Sequence, residues 1–202
     1  MSLNFISGSN VTAEHYDIDK GTARGWSIML SHLDCVKDFY HNTTSDFAII
    51  CEDDIFVRKK LKSYLPAVLK DFRELDLDVL LLSYLTPYHP RNHCSLIETR
   101  THAGTDAALS YFTYPDDMWG DHMYMISRAY AAYTIEKFTI EWAVAHKDKH
   151  YSPDWILTKN GTRALVWPPL GVEEGVANTD HQGHVVFHRQ CREFLYDESL
   201  YE

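Results

Sequence analysis

The run Phe47-Ala48-Ile49-Ile50-Cys51-Glu52-Asp53-Asp54-Ile55 joins an apolar stretch of strand length to three consecutive acids. A strand packed inside a sheet carries Ala48, Ile49 and Ile50 readily. It does not carry three adjacent carboxylates, because unpaired charge is too costly to bury. Glu52, Asp53 and Asp54 therefore belong where the strand leaves the core. In α/β sheets the crevice beyond the carboxyl ends of the strands is the usual ligand site. Clustered carboxylates there suit a hard divalent cation, Mn²⁺ or Mg²⁺, carrying a diphosphate. Asp54 is the leading metal ligand. Glu52, two residues back on the same side of an extended chain, reaches the metal or a donor ribose. Asp53 points the other way, toward a sugar, a backbone group or a capping role.

Other residues offer acid–base chemistry. Asp154 follows Ser152-Pro153, and Asp121-His122 follows Trp119-Gly120. Each could take a proton from an acceptor hydroxyl. Ser-Pro-Asp is equally a good helix N-terminus, and His122 equally a hydrogen-bonded core histidine. Asp180 and His181 stand in the polar stretch Asn178-Thr179-Asp180-His181-Gln182-Gly183-His184, where either could complete a metal site or be ordinary loop residues. Tyr84, Tyr88, Tyr111, Phe112, Tyr114 and Trp119 could stack on a sugar or a base, or simply pack.

The elements that must position these residues follow from periodicity. Trp26, Met29, Leu30, Leu33, Val36 and Tyr40 fall at helical spacing, predicting a helix over 22–40 with Thr22 as its N-cap. A second helix is expected over 57–75, bent or started near Pro66. Asp78 to Leu82 reads as a buried strand. Ser83 to Asp117 is loop-rich, with strand hints at 95–98 and 109–113. A strand over 122–127, a helix over 129–138, a short helix from Asp154, a strand over 163–167 and a tail helix around 188–195 follow; 171–183 reads as a polar loop. Strand, helix, strand, helix in the first half predicts an α/β fold with a mostly parallel sheet.

Composition narrows the partners. The chain has 202 residues, 45% hydrophobic and 24% charged, with a net charge of −10. That is an ordinary globular balance, expected to form one domain over residues 1–202. The negative charge disfavours nucleic acid, which demands a basic face, and anionic membrane surfaces. No apolar run approaches membrane-spanning length. Cys35, Cys51, Cys94 and Cys191 show no C-x-x-C spacing. Cys35 and Cys51 read as buried small hydrophobes, and free thiols fit a reducing, cytoplasmic setting.

Taken in order, these segments resemble glycosyltransferase family 25, the lipooligosaccharide and collagen galactosyltransferases. The resemblance rests on Ser31-His32 in Met-Leu-Ser-His-Leu, Glu52-Asp53-Asp54, the strand from Asp78, Gly120-Asp121-His122-Met123-Tyr124-Met125-Ile126-Ser127, Ser152-Pro153-Asp154-Trp155 and Pro168-Pro169-Leu170. It spans residues 25 to 184, with the late Asp180-His181 where the family has Ser-Asp-Ile. In place of the family's first strand and its Arg-rich turn this chain has at most a short strand over Asn4 to Ser7. The resemblance implies a GT-A-like, Rossmann-like fold and a metal-dependent hexosyltransferase. Such an enzyme takes a nucleotide-diphosphate sugar, a UDP-sugar by expectation, and a glycan or protein-linked acceptor. It implies donor-binding roles for Ser31, His32, Glu52 and Asp53, with Ser31 and His32 equally readable as helix-packing residues, and metal ligation by Asp54, Glu52, His181 and Asp180. A catalytically inactive nucleotide- or carbohydrate-binding module of the same fold stays open beside it.

Overall fold

The computed structural model describes residues 11–175 and 182–202. Its elements run α1 (Ala13–Tyr16), α2 (Lys20–Asn42), β1 (Phe47–Cys51), β2 (Ile55–Val57), α3 (Leu61–Glu74), β3 (Val79–Leu85), β4 (Ser95–Arg100), β5 (Leu109–Thr113), β6 (Trp119–Ser127), α4 (Arg128–Lys137), α5 (Ile140–Ala145), α6 (Pro153–Ile156), β7 (Arg163–Trp167), β8 (Gly171–Glu173) and α7 (Gln182–Leu195). Six strands form one sheet in the order β1-β6-β3-β7-β5-β4, and β2 pairs with β8 in a small second sheet.

The α/β class holds, but the expected mostly parallel sheet does not. Only β3 and β7 pair in parallel; the other four neighbouring pairs are antiparallel. The strand–helix–strand passage β1–α3–β3 does send β1 and β3 the same way, as a crossover must. The two never touch, because β6 lies between them and runs against both. A hairpin of β4 and β5 then extends the far side. Consequently β1, β3 and β7 all release their carboxyl ends at one edge of the sheet, and β6 enters at that same edge.

Alternation along the strands makes two cores. Val79, Leu81, Tyr124 and Ile126 face α2, meeting Trp26, Met29, Leu33, Val36 and Phe39. Leu80, Leu82, Met123 and Met125 face α3, meeting Tyr64, Val68 and Phe72. Successive strand residues point to opposite faces, so the continuous apolar run of β3 marks a strand covered on both sides.

Several boundaries differ from expectation. The N-cap of α2 is Asp19, whose carboxylate accepts from the Thr22 amide at 3.0 Å, rather than Thr22 itself. A short helix, α1, precedes it in a stretch whose sequence shows no helical periodicity. Val57 belongs to β2, and α3 begins at Leu61 and runs through Pro66, which lies on its exposed side. The loop expected over 171–183 contains β8, and α7 begins well before residue 188. Cys51, expected to be buried, is exposed at the end of β1, whereas Cys35 is half-buried; all four thiols are free. The possible strand over 4–7 lies outside the described residues, as do Asp180 and His181. No helix among the described residues is long and apolar enough to cross a membrane.

Candidate functional site

At the shared edge, side chains from three elements converge. His32 comes from the inner face of α2, Glu52 from the residue after β1, and Asp121 from the start of β6. One donor atom from each lies within 4.8 Å of the others. His32 is 6% exposed and its ring is held at both nitrogens. Nδ1 lies 3.1 Å from the Tyr124 hydroxyl, and Nε2 lies 3.5 Å from Glu52 Oε1. The imidazole also stacks parallel to the Tyr124 ring at 5.8 Å. Glu52 is fixed through its backbone, whose amide donates to the His122 carbonyl at 2.9 Å. The β3–β6 ladder shifts register twice between Leu81 and Leu85, beside this point. Such irregularities re-aim side chains and are common next to active sites.

The electrostatics of these carboxyls are uneven. Burial alone would raise Glu52, but its bond to His32, with the charges of His122, His32 and Arg24, holds it below its ordinary value. Asp121 is 8% exposed, and burial, aided by the charge on Glu52, pushes it up to about 6. Asp154, in the first turn of α6, is pushed up to about 7 by burial and then by Asp121. The amide of Gly120, which donates to its Oδ1 at 2.7 Å, partly opposes that rise. Solvent reaches Asp54, yet partial desolvation, then the charges of Glu52 and Glu173, raise it also. Lys159, which donates to the Met118 carbonyl, is lowered by burial despite Asp154 nearby. Neighbouring carboxyls raised by burial and by one another make this edge a functional-site candidate.

The structure therefore brings together His32, Glu52, Asp121, His122 and Asp154, with Asp54 at the rim. His122 is buried, 7% exposed, as a core histidine would be, but its Nδ1, 4.0 Å from Asp121 Oδ1, has no hydrogen-bond partner. Ser31 stays apart, because its hydroxyl donates to the Ser27 carbonyl within α2 at 2.9 Å. Asp53 is exposed. Asp154 does open a helix, but the amide its carboxylate meets is that of Gly120, across the site and not in its own helix.

Three contributors had no readable signal. Glu173, 5% exposed on β8, is bound by His188 of α7, whose Nδ1 lies 2.8 and 2.9 Å from its two oxygens. That bond raises His188 above its ordinary value, and Asp54 and Asp121 add to it. Lys159 is the third. Glu173 and His188 lie in a segment without periodicity and in a tail helix; the β2–β8 pairing sets Glu173 opposite Ile55, and α7 brings His188 to it.

No family model matches the chain, and no curated protein matches it significantly. The site is therefore read from its own geometry, with the resemblance as the guide to chemistry.

Proposed function

We propose that this chain is a metal-dependent glycosyltransferase that takes a nucleotide-diphosphate sugar, a UDP-sugar in the first instance, and passes the sugar to a hydroxyl acceptor. The observation that carries the reading is the convergence of His32, Glu52 and Asp121 at the edge where β1 ends. Two carboxylates and an imidazole fit a divalent ion, and the imidazole favours Mn²⁺ over Mg²⁺. Tyr124 supports the fit, since a hydrogen bond to the far nitrogen is how ligating histidines are oriented. Asp54 lies at the rim as a further oxygen donor. When bound, such an ion supplies Lewis-acid stabilisation of a departing diphosphate.

The chain's own residues account for the rest. Asp154 is the base: as the acceptor oxygen bonds to the anomeric carbon and the bond to the diphosphate breaks, its carboxylate takes the hydroxyl proton. A group poised near 7 suits that work at neutral pH, because both its charged and protonated forms are then accessible. Burial of Asp121 and His122 lowers the local dielectric, so charges there act more strongly than in water.

Release of UDP from a panel of UDP-sugars, with and without Mn²⁺, tests the proposal. Metal-dependent release that disappears in Asp121→Asn is the expected result. If Mn²⁺ with UDP raises the melting temperature and yet no donor is turned over with any acceptor, the chain is a binding module of the same fold.

A further inference from the structure

The turn that enters β6 leaves one large aromatic ring in solvent beside the carboxylates. Trp119 is 43% exposed, whereas Tyr84, Tyr111, Phe112 and Tyr114 are buried in the core. Its backbone is fixed from behind. Trp119 pairs with Leu85 of β3. The next residue, Gly120, approaches β3 so closely that a Cβ there would stand 2.7 Å from Leu81 Cδ1 and 3.0 Å from Tyr84 Cβ. The amide of Gly120 is the one that donates to Asp154. An exposed indole thus stands on a rigid strand, one residue from the bond to Asp154 and two from Asp121. The ring of His184 on α7 meets it at 6.0 Å and 70°, bounding it on one side.

The groups that adjoin its stretch of backbone are polar. Asp121 and Asp154 carry acceptors, and the buried His122 Nδ1 has no partner. An apolar plate bordered by hydrogen-bonding groups matches a ligand with a C–H face and a hydroxyl rim, which is a pyranose ring. The crowding of carboxylates favours a neutral ligand over an anionic one.

We infer that Trp119 is the platform on which a neutral pyranose, the acceptor sugar, stacks beside the Asp154 carboxylate. The word acceptor rests on the transferase reading; the stacking does not. The test is an NMR titration of the indole N–H signals of the five tryptophans, without metal or nucleotide. The probes are the methyl glycosides of glucose, galactose, mannose and N-acetylglucosamine, with uridine as the competing flat ring. The signal missing from Trp119→Phe identifies Trp119. At least one glycoside is expected to move that signal saturably. Trp119→Phe should keep the affinity within about threefold, and Trp119→Ala should weaken it about tenfold, the loss expected of an aromatic contact. The remaining indole signals of each variant, unchanged in position, establish that it is folded. The inference is overturned if none of the glycosides moves the Trp119 signal, if only uridine does, or if Trp119→Ala binds as the parent does. A saturable glycoside shift in a protein that turns over no UDP-sugar would refute the transferase reading and leave the platform standing.

Discussion

Asp71 of α3 and Asp121 of β6 are both buried, and their surroundings are opposite. Asp71 is 0% exposed and has its charge met on every side. Arg100 Nη1 donates to it at 2.9 Å, the Tyr111 hydroxyl donates at 2.7 Å, and His102 Nε2 lies at 2.7 Å. Arg100 is in turn bound by Glu74 and Glu98. Asp121 instead sits against Glu52, and Asp154 feels the charge of Asp121, so Asp121 and Asp154 are each pushed upward by burial and by a like charge, while Glu52 is held down by His32. A fold that needed only stability would pair buried charge, as it does at Asp71. Carboxylates that crowd one another at a strand edge are held there against their own repulsion, which is how ligand and catalytic sites are built.

That contrast is broken most severely at the structural end. Asp71→Ala strands Arg100, Tyr111 and His102 around a missing charge, and should cost about 3–5 kcal/mol in urea unfolding. A loss below about 1 kcal/mol would mean the network is ornamental and the comparison with Asp121 is empty.

The site end should respond with the opposite sign. In the folded state Asp154 is raised to about 7 from an ordinary 3.8. A carboxyl raised in this way favours the folded state while protonated, so the fold loses stability as pH climbs from about 4 to about 7. Asp154→Asn keeps an acceptor for the Gly120 amide and removes that burden. Near neutral pH it should stabilise by about 1–3 kcal/mol and flatten the pH dependence of unfolding. Transfer should meanwhile fall far more than donor affinity, as expected for a base that acts on the acceptor. A variant less stable than the parent at pH 7.5 would make Asp154 a structural residue like Asp71.

The smallest effect belongs to the pair between the two extremes. His188 is raised by its bond to Glu173. A raised histidine contributes stability that is fully present below its unfolded value near 6.5 and is lost as pH rises through the folded value. His188→Asn should cost about 0.5–1 kcal/mol at pH 5.5 and close to nothing at pH 9. Equal losses at both values would mean that packing of α7, not the charge pair, is what the histidine supplies.

These contrasts mark how far the sequence could be read. The acids after Ile50, the helix bearing His32 and the buried strand after Asp78 were legible because local periodicity and the cost of burying charge fix them. The direction of β1 and β3 was legible for the same reason. The insertion of β6 between them was not, since strand partnership between residues so far apart in the chain leaves no periodic mark. The cluster proposed as the metal site was hidden for the same reason. With Asp180 and His181 outside the described residues, Glu52 finds His32 and Asp121 as its neighbours, and both depend on that inserted strand, through Tyr124 and through Asp121 itself. Glu173 reaches the site through the pairing of β2 with β8, another contact between distant segments.

The central claim is that His32, Glu52 and Asp121 hold a divalent cation, and calorimetric titration of Mn²⁺ into the parent, Asp121→Asn and Asp54→Ala tests it most directly. The parent is expected to bind one ion. Asp121→Asn should lose that binding while unfolding no more easily than the parent. Asp54→Ala, altered only at the rim, should weaken binding with unfolding within about 0.5 kcal/mol of the parent. No heat in the parent, or equal affinity in the parent and Asp121→Asn, would contradict the account.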